Sequence, residues 1–452
     1  MTVDLRKFFQ ATDPGKTLFV ENPEDKKLYI DFSSVRGGKI IEELKDNICG
    51  PFASPDDPTC VLFTGHIGCG KSTELLRLKL ELEQEGFHVV YFESSEDLEM
   101  ADVDIGDVLL AIAHRVSQSL DEGTLEEPGR LKEFLQGAVK VLNSEVTGVK
   151  FKVPGVGDVG ANSEKEKFSL SLGIGEITTK VKNDATLREK LNQYLGPQKT
   201  QLLDAINKEL LEPAIAKLKQ QGKNGLVVIV DNLDRIDIRQ KPWGRPQHEY
   251  LFVDQAECLT KLHCHLVYTM PLALKFSNDY GNLTQRFSEE PKVLPMVPVH
   301  LIDGSYCEAG MALLRQMVLA RAFPDLDEDQ RKDKIPEIFD SPETLDRLCQ
   351  VSGGHVRDLL RLLNSWIKKG RKLPLSRTTL EEVIRSRRNE MTMPISDDEW
   401  ELLRQVQQRK KVSGDQGYQT LIRSRLVFEY RDNGESWFDI NPILAEAKEL
   451  QP

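Results

Sequence analysis

Gly65, Gly70, Lys71 and Ser72 stand at the spacing G-x-x-x-x-G-K-[ST] in the segment GHIGCGKS. That spacing suits a loop that cradles phosphate. Glycines let the backbone wrap tightly, with N–H groups turned inward. The lysine reaches the β- and γ-phosphates and the serine hydroxyl holds Mg²⁺. A helix starting here adds the positive end of its dipole. The chemistry implied is binding of a nucleoside triphosphate, and the expected contacts are Gly65, His66, Ile67, Gly68, Cys69, Gly70, Lys71, Ser72 and Thr73.

A second group of residues lies far along the chain, in GLVVIVDNLDR (Gly225–Arg235). Asp231 ends the apolar run, and we expect its strand to lie beside the strand that feeds the phosphate loop. From there a carboxylate can hold Mg²⁺ together with Ser72, directly or through water. Asp234 follows three residues on, where a turn can bring it to the same mouth to orient an attacking water. The plainer readings are a carboxylate capping the end of a strand and a turn-forming Asp.

These residues need elements to position them. CVLFTG (Cys60–Gly65), HVVYFE (His88–Glu93), the run ending at Asp231, HLVYTMP (His265–Pro271) and VLPMVPVHL (Val293–Leu301) read as short buried strands. The prolines of the fifth suit a sheet edge. Lys71–Glu85 reads as a helix, so strand, loop, helix and strand make a βαβ unit and imply a parallel sheet. Between the second and third strands, helical patterns occupy Ile105–Leu120, Gly129–Leu142 and Thr186–Gln221. The stretch Val149–Val181 alternates apolar and polar residues, with Val149, Phe151 and Val153 on one limb and Phe168, Leu170, Leu172 and Ile174 on the other. It reads as an inserted β-hairpin, a packing or self-association element. Residues 307–392 read as helical. The tail gives two helices and a hairpin across Asp432-Asn433-Gly434, the pattern of a winged helix-turn-helix.

The ordering of these motifs resembles that of AAA+ ATPases, on the origin-recognition and STAND/KAP/NACHT side of the superfamily. The resemblance spans roughly residues 28–392. It implies an α/β fold: a parallel-sheet P-loop NTPase core with the inserted β-hairpin, a helical lid and a C-terminal winged-helix-like domain. The corresponding boundaries are an N-terminal segment at 1–59, the core at 60–301 with 149–181 inserted, the lid at 302–394 and the last domain at 395–452. It also implies roles. Thr269 falls at the sensor-1 position, and Arg357, in SGGHVRD, falls at the sensor-2 position of the lid, where a guanidinium clamps phosphate. Arg286 falls where such families place an arginine finger that acts on a neighbouring subunit. Many AAA+ members carry Glu directly after the strand Asp; here that position is Asn232, and Asp-Asn-Leu-Asp is similar to the KAP and NACHT pattern, in which the later Asp carries the catalytic role. The chain departs from KAP proteins in having no inserted membrane helices.

The expected function is therefore an ATP hydrolase that binds ATP and Mg²⁺ and turns over slowly, as a switch for assembly or partner binding. The type of protein, rather than any residue, brings in a setting such as bacterial anti-phage defence. Two alternatives stay open: a DNA-binding initiator-type ATPase, and a nucleotide-bound adaptor that does not hydrolyse.

Bulk composition bounds these readings. The 452 residues carry a formal net charge of −12, which argues against broad binding to a nucleic-acid backbone. Residues 357–388 hold ten Lys or Arg against three acids, a local basic face. The tail 395–452 holds eight against eleven, which disfavours DNA contact there, with Arg423 and Arg425 its best candidates. No apolar run nears the ~18 residues of a membrane helix. The N-terminus lacks an apolar signal core and the 7 cysteines show no framework spacing, so a cytoplasmic protein is expected. Cys258, His263, Cys264 and His265 cluster without the two separated pairs of a zinc site, and read as core residues.

Overall fold

Continuous runs of β-branched and apolar residues, too short for helices, are what a sheet covered on both faces requires. In the computed structural model, which describes residues 3–54, 57–120, 129–143, 170–432 and 434–451, these runs form five parallel strands. They are β1 (Cys60–Gly65), β2 (His88–Glu93), β3 (Leu226–Asp231), β4 (His265–Thr269) and β5 (Lys292–Leu294), in the order β2-β3-β4-β1-β5. One expectation is corrected here. β3 does not lie beside β1, because β4 is inserted between them. The fifth strand is also shorter than its apolar run, since Pro295 and Pro298 offer no N–H to a ladder. β5 does lie at the sheet edge, paired with β1 alone.

Alternate residues of each strand enter two cores. Cys60, Leu62, Val90, Val228 and Tyr268 face helices on one side. Val61, Phe63, Val89, Ile229 and Val267 face the helices Ile40–Cys49 and Lys71–Gln84 on the other. Register brings Glu93 opposite Asp231, Val230 opposite Tyr268, and Phe63 opposite Thr269. Gly65, Glu93, Asp231 and Thr269 thus share the C-terminal rim, where open parallel sheets bind ligands.

The inserted hairpin is the main correction. Leu170–Asn183 is a helix. Leu170, Gly173, Ile174, Ile177, Thr178 and Val181 are its buried residues, while Leu172 is 60% exposed. These spacings follow a 3.6-residue period; the short SLSLGIG segment also satisfies a period of two, and length decides between the readings. Gly175 lets this helix approach Ile105–Ser119, since a Cβ there would lie 2.7 Å from His114 Nε2. Val149, Phe151, Val153 and Phe168 lie outside the described residues.

Helices Glu308–Ala322, Pro342–Val351, Val356–Gly370 and Arg377–Thr392 enclose a third core, which also takes in Phe8 of the N-terminal helix Leu5–Ala11. Helices Asp397–Arg409 and Gln416–Arg423 precede β6 (Val427–Asp432) and β7 (Glu435–Ile440), an antiparallel pair. Phe428, Tyr430 and Trp437 of this pair do not stay with their own helices; they complete the core beneath the β1 face.

Candidate nucleotide site

Positive φ at Gly68 (94°) and Gly70 (109°) shapes the loop between β1 and the helix Lys71–Gln84. Its cleft is bounded by Gly68, Gly70, Lys71, Ser72 and Thr73 on one side, Asn232 and Asp234 on another, and Arg357 across the gap. The structure therefore brings the predicted phosphate loop, acidic turn and lid arginine to one place.

Lys71 is buried, and its Nζ donates to the carbonyls of Gly65 (2.8 Å) and His66 (3.0 Å). It also pairs with Asp234 Oδ2 at 3.0 Å. Burial works against the ammonium, but Asp234, together with Cys69 and Asp231, more than reverses this and raises its pKa. Asp234 Oδ1 is buried and has no hydrogen-bond partner. Asp231 is 1% exposed. Its Oδ1 accepts from the Asn232 N–H at 2.6 Å and its Oδ2 from the Tyr91 hydroxyl at 2.8 Å, with Ser72 also bonded to it. Burial first, then Asp234, raises the Asp231 pKa.

Thr269 faces the turn rather than the cleft. Its hydroxyl accepts from Leu233 N–H at 2.9 Å and lies 3.4 Å from the Val230 carbonyl. Arg286 is exposed at the end of its helix and is not part of the cleft of this chain. Arg357 is half-buried; burial and then Arg235, Arg425 and Arg361 lower its pKa, so it sits in an excess of positive charge.

Four consecutive loop residues are held from outside by four different groups. His66 Nε2 accepts from the Glu429 N–H at 2.9 Å. The Ile67 carbonyl meets His355 Nε2 at 2.9 Å. The Gly68 carbonyl accepts from the Arg357 N–H at 3.2 Å. The Cys69 carbonyl accepts from Arg36 at 2.8 Å. His355 stacks on Phe428 with centroids 5.5 Å apart, and His66 meets the same ring edge-on. Gly68 is required by this crowding: a Cβ would lie 2.8 Å from His355 Cε1. Burial and then His355 push the His66 pKa well down, keeping that ring neutral. Cys69 is fully buried.

Residues 38–240 match the model of the KAP family P-loop domain. This stretch is similar to KAP-type P-loop NTPase domains. It contains the phosphate loop, β2, β3 and the acidic turn, whereas the lid and β6–β7 lie beyond it. No curated protein matches the chain. Among solved structures, the chain is similar to a Walker-type ATPase of Pyrococcus abyssi, with 11% identity, TM-score 0.41, and coverage of 96% of this chain and 98% of that one. It is also similar to the ORC1 protein of Aeropyrum pernix in complex with DNA, with 11% identity, TM-score 0.36, and coverage of 96% and 97%. No helix among the described residues is long and apolar enough to cross a membrane.

Several cleft residues escaped the sequence reading. Arg235 directly follows the acidic turn, and its place in DNLDR was the available signal. Pro14, Lys16 and Thr17 line the cleft from the N-terminal segment, and Pro14-Gly15 announced only a turn. Of the ten lid cations, Arg361, Lys369, Arg377, Arg387 and Arg388 pair with carboxylates. Arg423 lies 3.4 Å from Asp237, and Arg425 is half-buried. His263 meets Glu212, and Cys258 and Cys264 are buried in the core.

Proposed function

We propose that the chain is a slow ATPase that holds Mg–ATP between the sheet rim and the helical lid and uses the cycle to switch assembly or partner binding. The observation that carries this reading is the buried Lys71–Asp234 pair with a free Asp234 oxygen beside it. The γ-phosphate would compete for the Lys71 ammonium, and Asp234 would then be released to act on water. In that step the water proton passes to Asp234, the water oxygen bonds to the γ-phosphorus, and the bond from that phosphorus to the bridging oxygen breaks, giving ADP and phosphate. Arg357 would neutralise charge from the lid side.

The residues fit Mg²⁺. Ser72 and Asp231 offer a hydroxyl and a carboxylate, the hard oxygen donors this ion takes. The Asp231 oxygens keep lone pairs beyond those used by Asn232 and Tyr91. Among the described residues no group of three or more His, Cys, Asp or Glu could hold a metal, so phosphate and water would complete the shell. When bound, the ion would draw charge from the phosphate oxygens.

Lys71→Ala is expected to weaken ATP binding by roughly 2–3 kcal/mol, or about 30–150-fold in Kd, from lost charged hydrogen bonds. Asp234→Asn is expected to keep binding and lose turnover. Titration with a fluorescent ATP analogue and phosphate release, measured on the same preparations, check both. Unchanged binding in the first variant or full turnover in the second overturns the assignment, and absence of turnover in the wild-type chain with any partner favours the non-hydrolysing adaptor.

A further inference from the structure

Asn232 occupies the position where a catalytic glutamate is often found, and its surroundings give it a different task. Its backbone is left-handed, with φ 61°, a conformation that a side chain disfavours but Asn tolerates. Its N–H bonds Asp231, its carbonyl accepts from the Arg235 N–H at 3.0 Å, and its side-chain amide donates to Glu93 Oε2 at 2.6 Å. Glu93 ends β2, opposite Asp231 in the sheet register. Asn232 and Asp234 line the cleft and Glu93 does not.

We propose that Glu93 is a positioning residue for ATP hydrolysis: its carboxylate grips the Asn232 amide, fixes the left-handed turn, and so aims the free oxygen of Asp234 into the cleft. The proposal rests on the ATPase reading above. It also accounts for the departure at position 232. A carboxylate there would face the Glu93 carboxylate at hydrogen-bond distance and be repelled, whereas an amide is drawn to it. Glu93 and Asn232 are a matched pair, and Thr269 holds the same turn from the opposite strand through Leu233.

The test uses the full chain and four variants: Glu93→Ala, Glu93→Gln, Asn232→Asp, and the last two combined. ATP turnover, affinity for a fluorescent ATP analogue and hydrogen exchange of the peptide covering residues 229–236 are measured for each. Glu93→Ala is expected to lower kcat on the order of tenfold to a hundredfold through misplacement of Asp234. Affinity stays within about twofold and exchange in the turn becomes faster. Glu93→Gln keeps an acceptor oxygen and stays near wild type. Asn232→Asp falls like Glu93→Ala, and adding Glu93→Gln restores it, because the new amide can donate to the new carboxylate. Loss of kcat in Glu93→Gln with an unchanged turn would make Glu93 itself the proton acceptor and overturn the positioning role. Unchanged exchange in Glu93→Ala also overturns it. A wild-type chain that never hydrolyses ATP defeats the ATPase reading alone, since exchange still decides whether Glu93 holds the turn.

Discussion

The two sides of the phosphate loop are built from different chemistry. Inside, Lys71, Asp234 and Asp231 form a buried charged cluster with an unsatisfied oxygen. Outside, His66, Phe428 and His355 make an aromatic cluster, and hydrogen bonds through the two histidine side chains join the loop to β6 and the lid. The charged side has contacts that a phosphate can replace. The aromatic side has contacts that depend on shape and on a neutral His66. The loop is thus set in place from outside while its inner partners remain exchangeable.

Three changes would break or sharpen that contrast. The largest effect is expected from Phe428→Ala, which removes a fully buried ring between the two histidines. It should cost about 3–5 kcal/mol of stability, read by chemical denaturation, and weaken ATP binding only through the loop. If stability is unaffected, the outer side is not a support. A smaller effect is expected from Thr269→Val, which leaves the Leu233 N–H without its acceptor. About 1–2 kcal/mol of stability should be lost, with kcat reduced and ATP affinity kept. A loss of affinity instead would return Thr269 to a phosphate-sensing role.

The smallest is a pH effect at His66. Its folded pKa lies well below the unfolded value of about 6.5, so the unfolded chain binds a proton first as pH falls. Its contribution is complete above that value and shrinks as pH drops toward the folded pKa. The loss grows as pH falls further below the unfolded value. His66→Gln should therefore flatten the decline in stability between pH 7.5 and 5.5; an unaltered slope would mean that His66 is not held neutral.

Much of the frame was legible because it rests on local pattern. β1 and β2 match their apolar runs, β4 stops at Thr269 short of the expected Pro271, and the glycine spacing located the cleft. The second limb of the expected hairpin failed because Leu170–Ile174 satisfies two periods, and only packing against Ile105–Ser119 separates them. Sheet order was misread at β3, since nothing in β4 says it will enter between β1 and β3. The outer supports of the loop were illegible for another reason. His355 and Glu429 stand 288 and 363 residues from their loop partners, and a helix start and a hairpin carry no local sign of what they will touch. Glu93 was read as the end of a strand; its meaning comes only from the neighbouring strand that carries Asn232.

The placement of β6 bears on how the polypeptide can be divided. Glu429 reaches back to Lys275 at 2.9 Å, Tyr430 donates to the Gly353 carbonyl at 2.8 Å, and Phe428 lies between the histidines of loop and lid. A fragment cut after residue 394 would therefore lack part of the wall behind its own phosphate loop, leaving Phe63, Leu75 and Met296 with an incomplete apolar covering. The smallest unit worth expressing for nucleotide studies runs through β7, although the stretch that matches the KAP-type domain stops two hundred residues earlier, at 240.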